Sequence, residues 1–162
     1  MKEGFRPAAA ILGYGVFDNL TMKETMPAIK YPDLLEAYTV ALFGEKEPSD
    51  AKRMETSPAL LIDDAFPPSF IWATWNDDTV PVLQTAHMGK LLIEKNIPVE
   101  MHIFEKGGHA LALATQATSC ALSNIMPDIA VWNDMVDRWL QKRFLLPLPE
   151  LTVWEEMEQE QE

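Results

Sequence analysis

The stretch from Pro67 to Leu113, PPSFIWATWNDDTVPVLQTAHMGKLLIEKNIPVEMHIFEKGGHALAL, decides the fold. Two short runs in it read as strands buried on both faces, Phe70 to Trp75 (FIWATW) and Val99 to Phe104 (VEMHIF). The first is nearly continuous in apolar residues, as strands of parallel sheets are, because helices cover both their faces. Between the runs, Val80 to Lys95 sets Val82, Ala86, Gly89 and Ile93 at helical spacing, a stripe that can lie against a sheet. Strand, helix and strand within about 35 residues make a βαβ unit, whose crossover is right-handed.

Working outward, Ala8 to Val16 (AAAILGYGV) reads as another buried strand. Phe17 to Pro68 is interrupted by Pro27, Pro32, Pro48 and Pro58 and reads as an excursion above the sheet rather than as core. Within it, Tyr31 to Phe43 fits a helix closed by Gly44. Beyond His109 a polar, small-residue stretch leads to Pro127-Asp128, which opens a second amphipathic segment. Ile129, Trp132, Val136, Trp139, Leu140 and Phe144 share one face of it, Asp128 is placed to cap its N-terminus, and Pro147 stops it. The expected fold is α/β, with about three parallel strands and flanking helices. Residues 1–146 form one domain, and 147–162 an acidic tail whose last eight residues, EEMEQEQE, hold five glutamates and no cation.

A chain of 162 residues with 48% hydrophobic content suits one globular domain. No apolar run approaches the ~20 residues of a membrane span, and MKEGFRP lacks the apolar core of a signal peptide. The single cysteine, Cys120, has no partner for an internal disulfide. These features lead to the expectation of a cytoplasmic protein without membrane association. The net charge of −12 speaks against nucleic acid as a partner.

In open α/β sheets ligands bind beyond the carboxyl ends of the strands. There Asn76-Asp77-Asp78 follows one strand and Glu105-Lys106-Gly107-Gly108-His109 the other. If the strands are parallel neighbours, both loops leave the same sheet edge about 5 Å apart, and an acid can meet a histidine distant in sequence. A carboxylate on one imidazole nitrogen fixes the tautomer and leaves the other nitrogen as a general base. Gly107 and Gly108 let the backbone turn and present the ring. Taken singly, Asp-Asp and Gly-Gly-His are also ordinary turn and loop chemistry. His102 sits inside a strand as a packing residue, and His87 falls on the helix at the surface. The spacing of the three histidines is not that of a metal motif, so neither a metal nor another cofactor is expected.

The quoted stretch, with AAAILGYGVFD (residues 8–18) and ETSPALLI (residues 55–62), resembles the C-terminal part of α/β-hydrolases of the esterase/lipase group that includes acetyl esterases and acetylxylan-esterase-like enzymes. In that group a strand ends in an acid followed by a Val-Pro that opens a helix, and the next strand ends in glycine and the catalytic histidine. The resemblance runs from Pro7 to Phe144. It implies Asp77 as the triad acid, with Asp78 as fallback, and His109 as the triad base. It also implies a carboxylic-ester hydrolase acting on small acyl esters such as acetyl esters or acylated sugars. Two features depart from the family. None of the five serines (49, 57, 69, 119, 123) stands in Gly-x-Ser-x-Gly, and no His-Gly-Gly-Gly oxyanion loop occurs. Gly13-Tyr14-Gly15 stands where the family usually has serine before the tyrosine and proline after it.

The sequence therefore reads as the C-terminal portion of an α/β-hydrolase whose nucleophile half is absent. Its Ala8–Val16 strand would then have an open edge, ready to pair with a second copy or a complementing chain. The alternative is a non-catalytic remnant serving as an interaction or oligomerisation module.

Overall fold

The computed structural model describes residues 6–25 and 32–145. A parallel sheet of three strands lies at its centre, in the order β1 (Ala10–Gly13), β2 (Ser69–Thr74), β3 (Val99–Phe104). The register pairs Ala10 with Ser69 and Gly13 with Trp72 on one side of β2, and Ser69 with Val99 and Thr74 with Phe104 on the other. All residues of β2 are buried, which is why its sequence is so nearly apolar. Its Phe70 and Trp72 face a layer made by Leu111, α5 (Pro127–Ala130) and α6 (Trp132–Phe144), where Ile129, Val136 and Trp139 are buried. Burying side chains of this size contributes about 2 kcal/mol each.

The opposite layer holds α4 (Leu83–Glu94), the helix of the β2–α4–β3 unit. Its buried residues are Gln84, Thr85, Met88, Gly89 and Leu92. The face is therefore rotated from the expected Val82, Ala86, Gly89, Ile93 stripe, and Ile93 is 63% exposed. The reason is a polar residue in the core: Gln84 is buried and holds the inward position that an apolar pattern cannot reveal. Gly89 does face the sheet as expected. A Cβ there would come within 2.8 Å of Met101 Sδ and 3.2 Å of Ile71 Cδ1, so glycine sets the close approach of helix to sheet.

Three further expectations need correcting. The first strand covers Ala10–Gly13, not Ala8 to Val16, because Tyr14 turns into the left-handed region (φ 40°) and ends it. The segment from Phe17 to Pro68 is not merely an excursion. It forms α1 (Asn19–Thr25), α2 (Pro32–Phe43), α3 (Asp50–Glu55) and a 3-10 turn at Pro58–Leu61, and buries Phe17, Met22, Leu35, Ala59 and Ile62. Gly44 closes α2 as expected, with φ 74° and its N–H on Val40 O. Asp128 is not an N-cap: it lies in the first turn of α5, and the amphipathic segment breaks at Val131 before α6 begins. Pro147 and the acidic tail lie outside the described residues.

Candidate active site

Because β2 and β3 are neighbours, the loops following them leave the same sheet edge. Asp77 sits in the first loop. Its Oδ1 accepts the N–H groups of Thr79 (2.9 Å) and Val80 (2.8 Å), an Asx turn that leads into α4. Its Oδ2 lies 2.9 Å from Nδ1 of His109, and the Asp77 side chain is fully buried whereas that of His109 is 28% exposed. Asp78 Oδ1 instead accepts the hydroxyl of Thr79 at 3.4 Å, so the structure joins Asp77, not Asp78, to the histidine. A buried carboxylate on Nδ1 keeps that nitrogen protonated and leaves Nε2 as the acceptor. Among the described residues no side chain bonds Nε2.

Two polar residues that the sequence does not single out lock the loops together. Asn76 Oδ1 accepts the N–H of Gly107 at 2.8 Å, and the Thr74 hydroxyl donates to Gly107 O at 3.0 Å. Gly107 has φ 146°, and a Cβ on it would lie 2.5 Å from Ile129 and 2.6 Å from Thr74. Gly108 has open space around it, so only the first glycine is required sterically. Beyond His109, Ala110, Ala112 and Ala114 take positive φ values of 56°, 50° and 54°. Left-handed conformations cost non-glycine residues of order 1 kcal/mol each and persist where surrounding contacts impose them. Here Trp132 Nε1 bonds Ala112 O at 2.9 Å and Met126 N–H bonds Ala114 O at 2.9 Å.

Tyr14 is a further strained residue at the site. Its ring stands edge-on to Trp72 (4.9 Å between centroids) and to His109 (5.3 Å). A cavity of about 440 Å³ opens beside it, and His109, Thr79, Val16, Met22, Leu35 and Val80 are among the residues that line it. The other histidines stay apart. His102 stacks on Phe70 at 5.1 Å, a packing role, and its Nε2 lies 3.1 Å from Glu100. His87 is only partly exposed, with Nε2 3.3 Å from Asp18 Oδ2 rather than free at the surface. No cluster able to hold a metal occurs among the described residues.

None of the serine hydroxyls bonds His109. Ser49 caps α3, Ser57 is buried and donates to Arg53 O, and Ser69 donates to Pro67 O. Ser119 donates to Asn124 O, and Ser123 lies against Asn124 Oδ1.

Residues 4–123 match the prolyl oligopeptidase family. The chain is 30% identical over 109 residues to endo-1,4-beta-xylanase B of Butyrivibrio fibrisolvens, an alignment covering 67% of this chain and 15% of that protein. Among solved structures, a carboxylesterase of Lactobacillus plantarum superposes with a TM-score of 0.64 at 26% identity, over 88% of this chain and 46% of its own. The acetyl ester-xyloside bifunctional hydrolase of Caldicellulosiruptor lactoaceticus superposes with a TM-score of 0.63 at 25% identity, over 85% of this chain and 43% of its own. The chain thus spans under half the length of these hydrolases, and the partial α/β-hydrolase fold expected from the sequence is the fold it has.

Proposed function

The chain belongs to the prolyl oligopeptidase family, and from that membership we propose that it carries the acid–base half of a serine hydrolase acting on small carboxylic esters. The supporting observation is the 2.9 Å bond between His109 Nδ1 and fully buried Asp77 at the wall of an apolar cavity. In this reading His109 takes the proton of an attacking hydroxyl and returns it to the leaving alcohol, while Asp77 holds the ring and stabilises the imidazolium. In this reading the attacking hydroxyl is none of the five serines of this sequence, which lack a Gly-x-Ser-x-Gly setting and, among the described residues, do not bond His109. Acetyl esters and acylated sugars are the substrates that the resemblance to acetyl esterases implies.

A fluorophosphonate probe, which labels activated serines, tests this. The chain alone should remain unlabelled by mass spectrometry. Expressed behind an α/β-hydrolase N-terminal half, it should support labelling of the elbow serine, and His109→Ala should abolish that labelling. Labelling of any serine of the chain itself contradicts the assignment.

A second reading, an interaction module, rests on β1. Among the described residues it pairs only with β2, and its Ile11 is 45% exposed. This is the edge at which a second copy or the complementing half would add a strand.

A further inference from the structure

Of the five non-glycine residues with positive φ among those described, four belong to the surroundings of His109. Ala110, Ala112 and Ala114 follow it in the chain, and Tyr14 packs edge-on to its ring. Strain gathered around one side chain points to a side chain held in a required position. A single hydrogen bond to Asp77 fixes Nδ1 but leaves the tilt of the imidazole open, so a second hold is needed to fix where Nε2 points.

That hold can be followed from ring to ring. The Tyr14 ring stands at 72° to the imidazole, 5.3 Å between centroids, and at 89° to the Trp72 indole, 4.9 Å away. Trp72 in turn stacks on Trp132 at 23° and 5.0 Å. The Trp132 indole then donates from Nε1 to Ala112 O at 2.9 Å, three residues beyond His109. The contacts close a circuit that starts and ends on the histidine segment. Its three ring pairs all fall within the attractive range of edge and stacked geometries, about 4.5–7 Å between centroids. Trp72, 2% exposed in the middle strand, roots the circuit in the core.

Gly13-Tyr14-Gly15 fits the same circuit. A Cβ on Gly13 would lie 2.9 Å from Trp72 Nε1 and 3.1 Å from its Cε2, so glycine there leaves room for the indole. The Tyr14 N–H donates to Trp72 O at 2.7 Å, so main chain and ring of Tyr14 are both fixed on Trp72. We propose that Tyr14, Trp72 and Trp132 are positioning residues for His109, a circuit that sets the tilt of the imidazole while Asp77 sets its Nδ1. This rests on the ester-hydrolase reading above, in which Nε2 must meet an attacking hydroxyl. A general base displaced by about 1 Å loses much of its rate, which is what such a circuit guards against.

The Nδ1 proton of His109 tests it on the full chain. Its NMR signal is identified as the one that His109→Ala removes, and its exchange with water is measured by saturation transfer. Trp132→Phe keeps a ring at Trp72 and loses the bond to Ala112 O, so exchange should quicken roughly two- to tenfold, the worth of one hydrogen bond. Tyr14→Leu should quicken it by a similar factor, the worth of one ring pair. Trp139→Phe controls for general loosening, since Trp139 is buried in the same layer but takes no part in the circuit. It should lower the melting temperature and leave the exchange unchanged. Equal exchange in the unaltered chain, Trp132→Phe and Tyr14→Leu overturns the proposal, as does a rise in Trp139→Phe as large as theirs or a proton too fast to observe in the unaltered chain. Turnover separates this result from the reading it rests on. In the chain joined to an α/β-hydrolase N-terminal half, Trp132→Phe should lower kcat by a similar factor and leave KM in place. No turnover in the joined protein, with exchange as predicted, keeps the circuit and removes the ester-hydrolase reading. Turnover indifferent to Trp132→Phe keeps that reading and overturns the positioning role.

Discussion

At Gly107 the backbone runs at φ 146° between Ile129 and Thr74, and the whole presentation of His109 depends on it. Gly107→Ala should cost roughly 2–4 kcal/mol in urea unfolding, combining backbone strain with a core overlap. Gly108→Ala, with nothing near its added methyl, should stay within about 0.5 kcal/mol. Asp77→Asn should keep the fold but present the wrong partner to Nδ1. In a protein completed with a nucleophile it should lower kcat by roughly 10³–10⁴. That an acid of the Asn76–Asp78 loop meets His109 was legible from the strand ends, and the resemblance to acetyl esterases singled out Asp77, the carboxylate that the structure pairs with it. Asn76, Thr74 and Gln84 were not: their partners lie about thirty to sixty-seven positions away, and a polar residue whose bonds are all long-range leaves no periodic trace.

The same limit acts on whole elements. For α4 the helical period was readable but its rotation was not, because Gln84 occupies a core position that hydrophobic spacing assigns to an apolar residue. Gln84→Leu keeps the volume but strands the N–H groups of Phe17 and Asp18 and the carbonyl of Asp18. Leaving buried polar groups unmet costs about 1–3 kcal/mol each, so with three such groups a loss of about 3 kcal/mol or more is expected in denaturant unfolding. β1 was read too long because its apolar letters continue past the point where Tyr14 turns left-handed; the flanking Gly13 and Gly15 were the available signal. β3 kept its expected bounds, since polar and glycine residues follow Phe104 directly.

Taken whole, the fold has its best-buried strand in the middle and an exposed apolar residue, Ile11, on its first strand. Exposed unpaired strands associate with other chains, and a net charge of −12 opposes that only at low salt. Light scattering should therefore show self-association that increases with ionic strength, and Ile11→Lys should reduce it. A monodisperse monomer at all salt concentrations would count against an open edge. The central claim, an acid–base pair awaiting a nucleophile, is tested most directly by hydrolysis of p-nitrophenyl acetate. The assay compares the chain alone with the chain joined to an α/β-hydrolase N-terminal half, each with and without His109→Ala and Asp77→Asn. The account predicts background rates for the chain alone, turnover in the joined protein, and loss of that turnover in both variants. Turnover by the chain alone, or turnover in the joined protein indifferent to His109→Ala, would contradict it.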